Sequence, residues 1–225
     1  MKNDSYLRFL ELENGFQLNE IMKLPMTTPV WKRAELPKYL TNTELNCIFA
    51  TYNRKKPVGI RNYAITRCLK DLGLRCSEVA GLSIDDFNWV QGTVTIKDTK
   101  SYSERILPLH TITGQAIEAY LRLSRPITLG RSLFVRFKNK QGEPMGTSQV
   151  RNTVREAAMR AGLKHFSGPH MFRHTAAKEM INSDIDLKTI ADVLGHKSIE
   201  TTCIYTKLNF NRLQDVAGSW PEVQI

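Results

Sequence analysis

The residues best suited to chemistry lie between Gly168 and Lys207. His170 and Arg173 stand three apart in a helical pattern, so their side chains share one face. Leu187, Ile190, Ala191 and Leu194 recur at the spacing of a single buried stripe, and Gly195 follows where a left-handed cap would end that helix. His196 is therefore held just past a helix terminus. Ser198 is placed to cap a further turn that carries Thr201, Thr202 and Tyr205. Guanidinium is always charged and forks onto two oxygens at once, imidazole titrates near neutrality and can relay a proton, and a phenol oxygen can act as a nucleophile. Taken singly, each has a plainer reading: His165, His170, His174 and His196 as satisfied histidines tying loops together, Tyr205 as a core aromatic with a wet hydroxyl.

Upstream elements must position these side chains. Tyr6 to Leu12 reads as one short helix stopped by Asn14-Gly15, and Lys23 to Pro37, with three prolines, as an extended linker. Thr41 is placed to cap a helix ending near Tyr52, with Leu45, Ile48 and Phe49 buried. Arg61 to Leu72 is a longer apolar helix closed by Gly73, and Arg75 begins the next helix, paired with Glu78. Thr93 to Ile96 and Arg105 to Leu109 are β-branched runs that predict two strands joined by a polar turn holding Lys97 and Lys100. Ile112 to Leu123 is amphipathic, with Ala116, Ile117 and Tyr120 inward, and Leu133 to Val135 reads as a short strand.

Composition narrows the partners. A chain of 225 residues that is 41% hydrophobic can hold one full domain, with or without a small appendage. Lys and Arg number 32 against 22 Asp and Glu, a formal charge of +10 that fits a polyanion. Between residues 131 and 164, eight basic residues face two acidic ones, so this segment supplies more than half of the net charge. Arg131, Arg136, Lys138, Lys140, Arg151 and Arg155 form a candidate phosphate-tracking surface, Arg151 and Arg155 sharing a helix face. Cys47, Cys68, Cys76 and Cys203 show neither C-x-x-C pairing nor zinc-finger spacing to histidine, so buried reduced thiols and no metal are expected. No run of eighteen apolar residues occurs, and Met1 to Glu13 is charged throughout, which implies a cytoplasmic protein without a membrane partner.

The ordered set H-x-x-R at His170 and Arg173, L-G-H at Leu194 to His196, and a tyrosine nine residues later resembles the tyrosine recombinase, or phage integrase, family. G-L-R-C-S-E-V from Gly73 resembles its first arginine box, with Cys76 and Val79 departing from the commonest residues, and S-E-R-I-L-P-L matches the tail of its hairpin. The similarity covers roughly residues 36 to 210. It implies an α+β fold, a mostly helical catalytic domain with a small antiparallel β-sheet. It divides the chain into 1–35, a remnant of an N-terminal core-binding domain plus linker; 36–207, the catalytic domain; and 208–225, a tail exchanged between protomers. The implied catalytic residues are Arg75, Lys100, His170, Arg173, His196 and Tyr205, with Glu78 as the buttress of Arg75 and Lys97 as the alternative to Lys100.

The implied reaction is transesterification of a DNA phosphodiester with neither metal nor cofactor. Tyr205 attacks to give a 3′-phosphotyrosine, Lys100 protonates the leaving 5′ oxygen, and the arginines and His196 donate to the non-bridging oxygens, where charge grows in the transition state. The expected activity is site-specific recombination in integration, excision or transposition, on double-stranded DNA and by a dimer or tetramer. The alternatives are type IB topoisomerase-like relaxation and a DNA-binding regulator that has lost activity.

Overall fold

The computed structural model describes residues 38–98 and 103–195. The expected helix at Tyr6 to Leu12, the linker, Lys100, Cys203 and the segment from His196 through Tyr205 to the tail lie outside the described residues. Helix α1 spans Asn42–Ala50, with Thr41 extended ahead of it. The Thr41 hydroxyl accepts from the Glu44 backbone N–H (3.3 Å) and Glu44 Oε2 accepts from the Thr41 N–H (2.8 Å), so two otherwise orphaned donors are satisfied reciprocally. Leu45 and Ile48 face inward. Helix α2, Pro57–Asp71, starts four residues before the expected Arg61, because Pro57 occupies the first turn, where its missing N–H costs nothing.

Gly73, at φ 61°, turns the chain into α3, Cys76–Gly81. A single turn of 3-10 helix at Ile84–Asp86 leads to β1, Phe87–Asn88, then β2, Thr93–Asp98, and β3, Ser103–Pro108. The three strands form one antiparallel sheet in the order β1-β2-β3, with Ile96 opposite Arg105 and Lys97 opposite Glu104. The hairpin was legible from its β-branched runs; two-residue β1 carries too little pattern to read. Helix α4 follows at Thr111–Leu123, with Ala116, Ile117 and Tyr120 buried as expected.

The run Leu133 to Val135 is not a strand. All three residues are buried, but their backbone groups pair with different elements: the Leu133 N–H donates to the Leu82 carbonyl (2.8 Å), the Val135 N–H to the Tyr120 hydroxyl (3.2 Å), and the Phe134 carbonyl accepts from Met145 (3.0 Å). Its apolarity reflects burial rather than a ladder. Helix α5 spans Thr147–Arg160, α6 His170–Asn182 and α7 Leu187–Leu194. Ile48, Ile65, Leu69, Ile96, Ile117, Phe134 and Phe172 belong to the main core, while Ala177 and Ile181 of α6 meet Ile190 and Leu194 of α7 in a smaller cluster. That second cluster fixes the end of α7 against α6. Of the cysteines, Cys68 is buried and Cys76 half-buried; Cys47 is exposed, contrary to expectation, because it sits on α1 off the stripe set by Leu45 and Ile48.

Tyr120 stacks on Phe134 with ring centroids 5.4 Å apart and supplies the only acceptor found for the buried Val135 N–H among the described residues. Tyr120→Phe keeps the ring and strands that donor. Urea denaturation should show a loss of about 1–3 kcal/mol; an unchanged midpoint would mean that the donor finds another acceptor.

Candidate active site

The site is built around the C-terminal end of α7. The last carbonyls of a helix have no partner within it, and this pole carries partial negative charge. Here three consecutive carbonyls are met by three arginines from distant parts of the chain. Arg105 Nε donates to the Val193 carbonyl (2.9 Å), Arg173 Nη2 to Leu194, and Arg75 Nη2 to Gly195 (3.0 Å). Gly195 closes the helix in the left-handed conformation, at φ 64° and ψ 51°, as its sequence position predicted. The end of α7 is therefore fixed on three sides.

Arg75 lies in extended backbone at the start of α3, where Glu78 holds it. Glu78 Oε2 accepts from the Arg75 backbone N–H (2.7 Å), while Oε1 accepts from Arg75 Nη1 (3.1 Å) and Arg105 Nη2 (3.0 Å). The Glu78 side chain is only 7% exposed, so two guanidinium groups neutralise a nearly buried carboxylate. Arg173, on the first turn of α6, is itself buried and also donates through Nη1 to the Gly73 carbonyl (2.8 Å). That bond ties α6 to the turn preceding Arg75.

His170 and Arg173 project from the same end of α6, and with Arg75, Arg151 and Arg155 they line a cleft of about 530 Å³. Its described lining contains no acidic side chain. Four guanidinium groups and an imidazole around one opening make a site for an anion. Loss of surrounding water, followed by the charges of Arg173, Arg75 and Arg151, holds the His170 imidazole below its ordinary range. His174, one turn further, is shifted the same way by burial and then by His170 and Arg173.

The expected basic surface divides. Arg151 and Arg155 face this cleft from α5. Arg136 and Lys138 line a separate cleft of about 450 Å³ on the other flank of α5, with Arg61, Gln149 and Glu156. Arg131 is bound by Asp85, and Lys140 lies 3.7 Å from Glu143. Lys97 Nζ donates to the buried Asp86 carboxylate (2.8 Å), and that bond and charge raise its pKa, the opposite of what a proton donor to a leaving group needs. His165 has the plain structural role, with Nε2 2.9 Å from Glu44 Oε1.

The residue that sequence reading left without a role is Arg105. The signal was present: on a strand it shares the inward face with buried Leu107, whereas Ile106 between them is 69% exposed. An arginine at a core-facing position requires partners there.

Residues 38–212 match the model of the phage integrase family. The chain belongs to this family. Among its members, a putative integrase/recombinase of Sinorhizobium fredii is 33% identical over 84% of this chain and 99% of its own length. Two others from that organism, at 34% and 30% identity, are matched over 46% and 51% of their lengths, so the chain spans about half of each. The tyrosine recombinase XerC of Halalkalibacterium halodurans is 31% identical over 94% of this chain and 70% of its own. The crystal structure of XerA recombinase superposes with a TM-score of 0.70 at 27% identity, covering 83% of this chain and 67% of that one. XerH bound to its difH substrate gives 0.67 at 27%, covering 83% and 54%. The phage integrase family assignment agrees with the observed fold, mostly helical with a three-stranded antiparallel sheet.

Because His170 and His174 are both depressed in the folded protein, the unfolded chain takes up protons first as pH falls through about 6.5. Their contribution is present above that pH and is lost below it. The melting temperature should therefore decline between pH 7 and pH 5, before Glu44, Asp85 and Asp186, also depressed, lose theirs at lower pH. Replacing both histidines by Asn should flatten that slope; an equally steep decline would assign it to other groups.

Proposed function

We propose that this chain cleaves and rejoins duplex DNA as a site-specific recombinase, in integration, excision or transposition. The observation that carries the reading is the cleft where Arg75, Arg173 and His170 converge beside the end of α7, with no acid among the described residues that line it. A phosphodiester is the anion it suits. Each η nitrogen of Arg75 carries two hydrogens, so bonds to Glu78 and Gly195 leave a second N–H on each for a phosphate oxygen.

In the proposed step the Tyr205 oxygen attacks phosphorus, its proton passes to His170, and the bond to the 5′ oxygen breaks as Lys100 protonates it. The product is a 3′-phosphotyrosine and a 5′ hydroxyl. The ester energy is kept in the link, so the reverse attack can come from another strand. Arg75, Arg173 and His196 stabilise the charge that accumulates on the non-bridging oxygens. Depression of the His170 pKa supports a neutral imidazole able to accept a proton near neutral pH. The engagement of Lys97 by Asp86 supports Lys100 as the acid.

The proposed partners are duplex DNA and further copies of the chain, as a dimer or tetramer on that DNA, in the cytoplasm. Arg151 and Arg155 are proposed to hold phosphates next to the reacting one, with Arg131, Arg136, Lys138 and Lys140 contributing outside the cleft. Solved XerH complexes, 27% identical to this chain, contain their DNA substrate before and after cleavage, which supports DNA here. No helix of the described residues is long and apolar enough to cross a membrane. We propose 36–207 as the catalytic domain, with 1–35 contributing core-binding and linker sequence and 208–225 forming an exchanged tail, in which Leu208, Phe210, Leu213 and Val216 supply an apolar stripe. Topoisomerase-like relaxation or a regulator without activity fits the same fold less well, since the relatives at 30% identity or more bear recombinase names.

Tyr205→Phe should abolish any covalent protein–DNA adduct while changing DNA affinity by no more than about twofold. The wild-type adduct should form equally in EDTA, and its disappearance there would overturn the metal-free step. A second substitution tests the proton donor. Lys100→Ala should slow cleavage by about 10² to 10⁴ on ordinary DNA and recover when sulfur replaces the leaving 5′ oxygen. Recovery seen instead for Lys97→Ala would move the role to that residue.

A further inference from the structure

We propose that Arg105 is a positioning residue for this reaction, holding Glu78 and the end of α7 together so that Arg75 stays aimed into the cleft. The proposal takes the function above as its basis. Arg105 does not line the cleft, and so it acts through others. Its fork spans two acceptors on separate elements: Nη2 reaches Glu78 Oε1 on α3 and Nε reaches the Val193 carbonyl on α7. The same Glu78 oxygen receives Arg75 Nη1, and Arg75 in turn reaches the Gly195 carbonyl, two residues beyond Val193. Arg105, Glu78, Arg75 and the last turn of α7 thus close a ring of hydrogen bonds.

The guanidinium is also packed against the turn it supports. A Cβ built on Gly195 would lie 2.7 Å from Arg105 Nη1 and 3.0 Å from Cζ, so the plane of the group presses on the backbone just before His196. The Arg105 side chain is 15% exposed, which limits competition from water for these bonds. Without it, Glu78 would keep one cation instead of two and draw the Arg75 group toward itself. Lysine cannot substitute: one ammonium nitrogen does not reproduce a planar fork that meets two acceptors in fixed directions.

The test uses the whole 225-residue chain with Arg105→Lys, which keeps the charge, and Arg105→Met, which does not. The first readout needs no DNA: NMR of the Arg75 guanidinium protons, alongside thermal melting. Arg105→Lys should remain folded, yet its Arg75 protons should exchange faster and broaden. The second readout uses nicked duplexes selected from a random pool by binding to the wild-type chain. On these, Arg105→Lys should bind within about threefold of wild type but form adduct about 100-fold more slowly, the scale expected for a misplaced catalytic group. Sulfur in the leaving position should not restore the rate, because the proton donor is not what is lost. Unchanged Arg75 signals, a wild-type adduct rate, rescue by sulfur, or a rate loss matched by lost binding would each overturn the proposal. If wild type forms no adduct on any duplex, the recombinase reading fails, and the Arg75 signals still decide whether Arg105 positions that side chain. Should Arg105→Met fail to fold, Arg105→Lys alone carries the decision.

Discussion

The negative pole of one eight-residue helix organises this domain. Helix α7 is short, and its final carbonyls would be left to water in most settings. Here Arg105, Arg173 and Arg75 take the carbonyls of Val193, Leu194 and Gly195 in that order, coming from β3, from α6 and from the start of α3. No single contact of this kind is large, since hydrogen bonds to charged groups contribute about 1.5–3 kcal/mol each. Their placement matters more than their sum. Each arginine arrives from an element anchored in a hydrophobic cluster, so packing far from the cleft decides where the guanidinium groups stop.

This arrangement also resolves an electrostatic problem. A cleft lined by Arg75, Arg151, Arg155 and Arg173 with no acid in its described lining repels itself when empty. Two of the four, Arg75 and Arg173, are steadied from behind by carbonyl dipoles, and Arg75 also by the Glu78 carboxylate, without placing a negative charge inside the opening. The remaining two sit on α5, both exposed, where water screens them. His170, whose pKa burial lowers first, is lowered further by the charges of Arg173, Arg75 and Arg151. An anion entering the cleft would relieve the repulsion that the fold tolerates in its absence.

Much of this was legible in the sequence because local rules and tertiary packing agree. The α7 stripe, its glycine cap, the Thr41 helix cap, the β2–β3 hairpin and the pairing of Arg75 with Glu78 all follow from spacing alone. The failures have physical causes. Leu133 to Val135 looks like a strand because full burial and β-pairing both select apolar residues, and only the hydrogen-bond partners distinguish them. Charge counting treated residues 131 to 164 as one surface, but successive helical positions point apart, and α5 sends Arg151 and Arg155 to one flank and Gln149 and Glu156 to the other. Arg105 was passed over because its partners are a carboxylate 27 positions away and a carbonyl 88 away, separations no local pattern encodes.

The turn at Gly195 makes two separate demands, one on the dihedral angle and one on the space beside the α-carbon. Asparagine, which tolerates left-handed backbone better than most residues, meets the first, but the Cβ that any L side chain begins with would require the Arg105 guanidinium to shift. A mirror-image residue behaves differently. D-Alanine adopts positive φ without strain and directs its methyl group along the hydrogen of glycine other than the one nearest Arg105. Chemical synthesis at this one position would therefore separate handedness from crowding, which no substitution drawn from the genetic code can do.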